Sequence, residues 1–234
     1  MINYLTYDGK NLRDYGVYVN GTYTFSSPER SIERIVVPGR SGTLTIDNQR
    51  FENIEVSYAS FIVRDFAENI EGLRNYLSTS AGYRRLEETY HPDEYRMARF
   101  VSGLQVEATP LLREGNFTLV FDCKPQRYLK SGEQYINFNS AGTLYNPTIQ
   151  IAKPLIRVWG NGTVGIGDAT LTITGTGAEG YTDIDCESLD AYCGATNRNN
   201  GVSGTFPVLN PGANGIALGG SVGLVQITPR WWIL

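Results

Sequence analysis

Helical periodicity occurs once in this chain: Phe66, Ile70, Leu73 and Leu77 recur at intervals of four, three and four residues. That spacing puts all four on one face of a helix, with Asp65 available near its N-terminal end. Elsewhere the apolar residues follow a period of two. Ile54, Val56 and Tyr58 alternate with Glu55, Ser57 and Ala59, and Phe117, Leu119 and Phe121 alternate with Thr118, Val120 and Asp122. Further along, Leu171 and Ile173 alternate with threonines, and Val225 and Ile227 with Gln226 and Thr228. Alternation of this kind belongs to half-buried strands, so the chain is expected to be mainly β with one helix. The charged stretch from Arg84 to Arg99, with His91-Pro92 inside it, reads as a loop or hairpin leading to a strand around Tyr95 to Val101.

Charge and glycine usage change near residue 130. Residues 1–128 carry 15 basic and 17 acidic groups, against 5 and 7 in residues 129–234, whereas glycines number 9 and then 17. A boundary at Lys130-Ser131-Gly132 therefore separates a domain 1–130, β-rich with one α-helix, from a domain 131–234 built of short strands and tight turns. Asn161-Gly162, Asn200-Gly201 and Asn214-Gly215 supply the residue pairs that close two-residue hairpins. A galectin-like or jelly-roll antiparallel β-sandwich is the expected architecture of the second domain.

The net charge of −4 gives no electrostatic reason to bind nucleic acid, since 20 basic residues face 24 acidic ones. Met1-Ile2-Asn3-Tyr4-Leu5 does not open an export signal, and no segment has membrane-spanning length. Cys123, Cys186 and Cys193 fit neither a metal clip nor a disulfide framework and read as buried reduced thiols.

Four features invite chemistry. Gly160-Asn161-Gly162-Thr163-Val164-Gly165 matches a dinucleotide fingerprint, but the residues after it are rich in β-branched side chains where a phosphate-binding turn must open a helix, so a hairpin turn is expected. Asp183, Asp185 and Glu187 fall on one face of a strand, where they could hold a cation or act as a glycan hydrolase's carboxylates, or be a solvated face. His91 is the single histidine, which excludes a multi-histidine metal site and leaves a nucleophile–His triad dependent on one loop residue. Trp159, Trp231 and Trp232 are candidates for stacking on sugars or contacting a partner, with core packing as the alternative; adjacent Trp231 and Trp232 point to opposite sides of a strand. No catalytic, cofactor-binding or metal-binding set emerges.

Arg30, Arg34, Arg40 and Arg50 flank the turn Pro38-Gly39-Arg40-Ser41-Gly42, and arginine outnumbers lysine 13 to 2 in the first part. Planar guanidinium groups suit bidentate pairing with carboxylates on neighbouring subunits. Arg34, Pro38, Gly39, Arg40 and Gly42 are accordingly candidate interface residues.

Almost end to end, the sequence resembles the distal tail proteins (Dit) of long-tailed phages, especially those infecting Gram-positive bacteria. The resemblance is carried by Val36-Val37-Pro38-Gly39-Arg40-Ser41-Gly42, by the helix followed by Gly82-Tyr83, and by the run Gly115-Asn116-Phe117-Thr118-Leu119-Val120-Phe121-Asp122-Cys123-Lys124-Pro125. Ile184-Asp185-Cys186-Glu187, Phe206-Pro207-Val208-Leu209-Asn210-Pro211-Gly212-Ala213-Asn214 and Pro229-Arg230-Trp231-Trp232 carry it through the second part. The resemblance implies a hexameric ring of N-terminal domains between the tail tube and the tail-tip hub, with the galectin-like C-terminal domain projecting outward. It implies a structural protein of the virion, at the distal end of the tail and made in the host cytoplasm. Implied partners are further copies of the chain, the major tail (tube) protein, the tail-associated hub protein and, in some phages, a receptor-binding protein. The alternative is a carbohydrate-binding module that contacts the host surface.

Overall fold

The structure, a computed structural model, describes residues 2–20, 27–63, 65–108, 115–176 and 180–234. The chain divides into two compact units, Met1–Arg127 together with Leu234, and Tyr128–Ile233.

The first unit contains β1 (Leu5–Tyr7), β2 (Lys10–Asn11), β3 (Val17–Val19), β4 (Arg30–Val36), β5 (Thr43–Phe51), β6 (Ile54–Ile62), α1 (Phe66–Ser78), β7 (Arg84–Glu88), β8 (His91–Phe100), β9 (Val106–Ala108) and all but the last two residues of β10 (Gly115–Leu129). Its main sheet runs β2-β1-β7-β8-β10-β6-β3, with β9 also paired to β10. In the antiparallel pair β6–β10, Val56 faces Phe121, Tyr58 faces Leu119 and Ile54 faces Cys123, so every inward residue meets an inward partner. Phe66, Ile70, Leu73 and Leu77 of α1 share one core with those rows. Burying a leucine such as Leu73, fully inaccessible here, stabilises by about 1.5–3 kcal/mol.

The start of α1 differs from the expectation. Asp65 occupies the N-cap position, but its backbone is left-handed (φ +45°) and its side chain makes no capping hydrogen bond. Glu68 in the first turn still complements the positive end of the helix dipole. The charged stretch forms the hairpin β7–β8, and His91 opens β8 rather than sitting in a turn.

Apart from the short 3-10 turns Lys130–Glu133 and Asn199–Gly201, the described elements of the second unit are strands: β11 (Ile136–Phe138), β12 (Gly142–Asn146), β13 (Leu155–Trp159), β14 (Gly162–Ile166), β15 (Ala169–Ile173), β16 (Tyr181–Asp185), β17 (Asp190–Cys193), β18 (Thr196–Asn197), β19 (Val202–Gly204), β20 (Gly212–Gly220), β21 (Leu224–Thr228) and β22 (Trp232–Ile233). One sheet has the order β11-β21-β13-β16-β17-β18 and the other β12-β20-β14-β15-β19. The pairings are antiparallel throughout, and the two sheets share a core that includes Ile156, Val158, Leu171, Ile184, Ile216, Val225 and Ile227.

None of the three Asn-Gly pairs closes a two-residue hairpin. Asn161-Gly162 connects β13 to β14, which lie in different sheets; Asn200-Gly201 belongs to a 3-10 turn; Asn214-Gly215 lies within β20. Gly162 is needed for close approach, because a Cβ there would sit 2.1 Å from the Gly219 carbonyl oxygen of β20. The hairpin β14–β15 turns instead at Gly167, in the left-handed region (φ +56°).

Candidate interaction surfaces

β4 and β5 form a two-stranded sheet of their own in the first unit. Beyond Arg30 the register opposes Ile32 to Asp47, Glu33 to Ile46, Arg34 to Thr45, Ile35 to Leu44 and Val36 to Thr43. Directly opposed residues share a face, so Ile35, Leu44 and Ile46 lie together on one side and Ile32, Arg34 and Val36 on the other. Both sides are exposed: Ile35 is 37% accessible, Leu44 and Ile46 are each 43%, and Val36 is 75%. An isolated two-stranded ribbon is marginally stable at best in water, and this one leaves aliphatic residues on both faces wet.

The turn closing the ribbon carries the candidate interface residues. The Arg40 amide donates to the Val37 carbonyl at 3.2 Å, and Gly39 and Gly42 take φ of +79° and +86°, a backbone that a side chain would strain. Pro38, Gly39, Arg40 and Gly42 are exposed, as is Arg34 on β4. At the base of the ribbon Arg30 pairs with Asp47 at 2.7 Å, and that hydrogen bond holds the Asp47 carboxyl below its ordinary range. Arg34 and Arg40 make no ion pair among the described residues, which leaves two guanidinium groups beside the aliphatic surface.

The sequence's chemical candidates resolve differently. Gly160–Gly165 leads from one strand into another, so no helix N-terminus is present to receive a pyrophosphate. Asp183 and Asp185 do lie on one side of β16, with Glu187 in the turn beyond, but arginines occupy them. Arg157 grips Asp183 through Nε–Oδ1 at 2.6 Å and Nη2–Oδ2 at 2.8 Å. Arg230 grips Asp185 through two bonds of 2.7 and 2.8 Å, and its Nη1 lies 3.9 Å from Glu187. The Arg230 hydrogen bond keeps the Asp185 carboxyl below its ordinary value. Both carboxylates are therefore taken up by guanidinium groups, and among the described residues no group of three or more His, Cys, Asp or Glu could hold a metal.

His91 Nδ1 lies 3.1 Å from Glu88, which also accepts the Tyr58 hydroxyl, so it belongs to a hydrogen-bonded cluster rather than a triad. Cys123, Cys186 and Cys193 are free and buried, and burial pushes the thiols of Cys123 and Cys186 up to about 12.

The three tryptophans do not form one platform. Trp231 is 4% accessible and sits in the core of the second unit, so it cannot meet a surface ligand. Trp232 donates its indole N–H to the Ile151 carbonyl at 2.9 Å. Trp159 faces outward from β13 beside Tyr181, ring centroids 6.1 Å apart. Sequence reasoning missed Tyr181 and the aliphatic side chains of the ribbon; the signal available for the latter was a dense apolar cluster at 35–37, 44 and 46 flanking a Pro-Gly turn.

No protein-family model matches the chain, and no curated protein does. Among solved structures, the crystal structure of the SPP1 Dit protein, described as a paradigm of the hub adsorption apparatus in phages infecting Gram-positive bacteria, matches at a TM-score of 0.74 and 14% identity, covering 100% of both chains. Two structures of the phage p2 baseplate in its activated conformation, with Sr and with Ca, match at TM-scores of 0.48 and 0.49, with 10% and 11% identity over 97% of this chain. Along its whole length, through both units, the chain has the fold of the SPP1 Dit protein.

Proposed function

We propose that the protein is a distal tail protein: a structural component of a phage tail tip that assembles into a hexameric ring and serves as a platform between tail tube and hub. The observation that carries this reading is the end-to-end fold correspondence with the SPP1 Dit protein, which spans both units and is not confined to one common domain. The β4–β5 ribbon supplies the physical reason for assembly. Its exposed aliphatic faces and its strand edges, unpaired among the described residues, gain most by pairing with another chain. A ribbon that seats on a different patch of the next copy makes a head-to-tail contact, and such contacts close into rings when the rotation permits.

In this reading Arg34, Pro38, Gly39, Arg40 and Gly42 lie at the ring contact, where Arg34 and Arg40 pair with carboxylates of the neighbouring copy. The protein performs no catalysis, needs no cofactor and resides at the distal end of the virion tail after synthesis in the host cytoplasm. Its partners are the tube protein, the hub protein and, where present, a receptor-binding protein. Mass photometry of the purified chain, alone and mixed with tube or hub protein, tests the reading. A six-copy species is expected; a monomer under every one of these conditions would refute it.

A further inference from the structure

A surface pocket of about 220 Å³ opens at one end of the five-stranded sheet of the second unit. Its apolar lining is Ile166 and Ala169, which flank the turn of the β14–β15 hairpin, and Phe206 and Val208 from the segment 205–211 between β19 and β20. Asp168 in that turn and Asn210 near the end of that segment supply polar groups. Ile166 is buried and Phe206 half-buried against the core of the unit, whereas Asp168 and Asn210 are exposed.

Both sides of the pocket are tied down. The Gly167 amide donates to the Gly215 carbonyl of β20 at 2.9 Å, which fixes the hairpin turn. Across from it, the buried Asn214 side chain accepts from the Asn210 amide at 2.9 Å and donates to the Asn210 carbonyl at 2.8 Å. Leu209 exchanges two backbone hydrogen bonds with Ala152, at 2.8 and 3.0 Å. The pocket is thus shaped before any ligand arrives, and filling it orders little of the backbone. Its polar side chains, by contrast, are left over from folding. Asp168 makes no ion pair or hydrogen bond among the described residues, and the Asn210 side chain makes none either. Asp183 and Asp185 of the same unit are each gripped by an arginine.

Size and charge together select the occupant. Small-molecule sites enclose about 300–1,000 Å³, so a pocket of about 220 Å³ suits a single side chain. A neutral occupant, whether a sugar or an aliphatic side chain, would strip water from an ionised carboxylate and leave it without a countercharge. A calcium ion needs about six oxygen ligands and would find one carboxylate beside an aliphatic surface. An arginine matches every part of the lining: its methylenes fit against Ile166, Ala169 and Val208, and its guanidinium meets the Asp168 carboxylate, the Asn210 amide oxygen and the Phe206 ring. We propose that this pocket binds an arginine side chain presented by another protein. The pocket lies wholly within the second unit and does not rest on ring formation by the β4–β5 ribbon.

Saturation-transfer NMR of the full chain tests this with three probes: the tripeptide acetyl-Gly-Arg-Gly-amide, the same peptide carrying citrulline, the uncharged isostere of arginine, and lactose. The arginine peptide should bind in the millimolar range and the citrulline peptide at least about tenfold more weakly. Asp168→Asn should abolish that difference, and Phe206→Leu should weaken the arginine peptide alone by about threefold or more. Asp93→Asn, which removes an exposed and unpaired carboxylate of the first unit, should change nothing. Because Asp168 is exposed, its replacement leaves the fold intact and decides the matter should Phe206→Leu not fold. Equal binding of the two peptides, binding of neither, displacement of the arginine peptide by lactose, or an equal loss with Asp93→Asn would each overturn the proposal. So would disappearance of the assembled species in Asp168→Asn, which would put a second copy of this chain in the pocket.

Discussion

Replacing Asp185 with asparagine isolates the claim that the second unit's carboxylates are structural. Asp185 accepts two bonds from Arg230 and further bonds from the amides of Glu187 and Ser188, at 2.9 and 3.4 Å. The side chains of Arg230 and Asp185 are 27% and 16% accessible. Arg230 also holds a left-handed backbone (φ +58°), a conformation costing about 1–2 kcal/mol for a side-chain-bearing residue. Removing one partner of a fully buried ion pair costs about 3–5 kcal/mol. Partial solvation and Glu187, 3.9 Å away, offset some of that, which leaves about 2 kcal/mol for Asp185→Asn. For a unit of this size the loss lowers the melting temperature by about 10 °C.

The effect must depend on pH in one direction. The Arg230 bond depresses the folded Asp185 below its ordinary value of 3.8, so its contribution is complete above that value and fades as pH falls through the lower, folded one. The variant should therefore lie well below wild type near neutrality and converge with it in acid. Urea denaturation followed across pH measures both. A difference under about 0.5 kcal/mol at neutral pH, or one that persists undiminished into strong acid, would refute the reasoning.

Single contacts elsewhere carry further consequences. Leu44→Asp places a charge on the exposed aliphatic face of the ribbon; thermal melting of the monomer should move by less than about 0.5 kcal/mol while mass photometry shows loss of the assembled species. Gly132→Ala would bring a Cβ within 2.3 Å of the Trp231 backbone nitrogen, and urea titration should show at least about 2 kcal/mol of destabilisation. Ellman's reagent should leave Cys123, Cys186 and Cys193 untouched in the native protein and titrate all three in urea, because the thiols are buried and those of Cys123 and Cys186 stay protonated until about pH 12.

Local periodicity carried the parts of the fold that depend on one face being buried. Phe66, Ile70, Leu73 and Leu77 had to lie on one side of a helix, and the same four residues enter the core. The alternation through Ile54–Tyr58 and Phe117–Phe121 fixed inward and outward sides of two strands that then pair with each other. Turn chemistry was less legible, because an Asn-Gly pair reports backbone permissiveness and says nothing of whether the flanking strands belong to one sheet. Gly162 serves a close approach to its paired neighbour β20, a requirement set by a segment almost sixty residues later. The carboxylates illustrate the same limit. Asp183 and Asp185 could be placed on one strand face, but their arginines come from positions 26 residues before and 45 residues after. The apolar residues of the β4–β5 ribbon face a different difficulty: a sequence pattern cannot tell a strand that buries its face within the chain from one that leaves it for another molecule.

Electron micrographs of the purified chain, taken alone and again with tube and hub proteins, test the central claim most directly. Class averages should show closed rings with sixfold symmetry. Fields containing only single, unassociated two-unit particles under both conditions would contradict it.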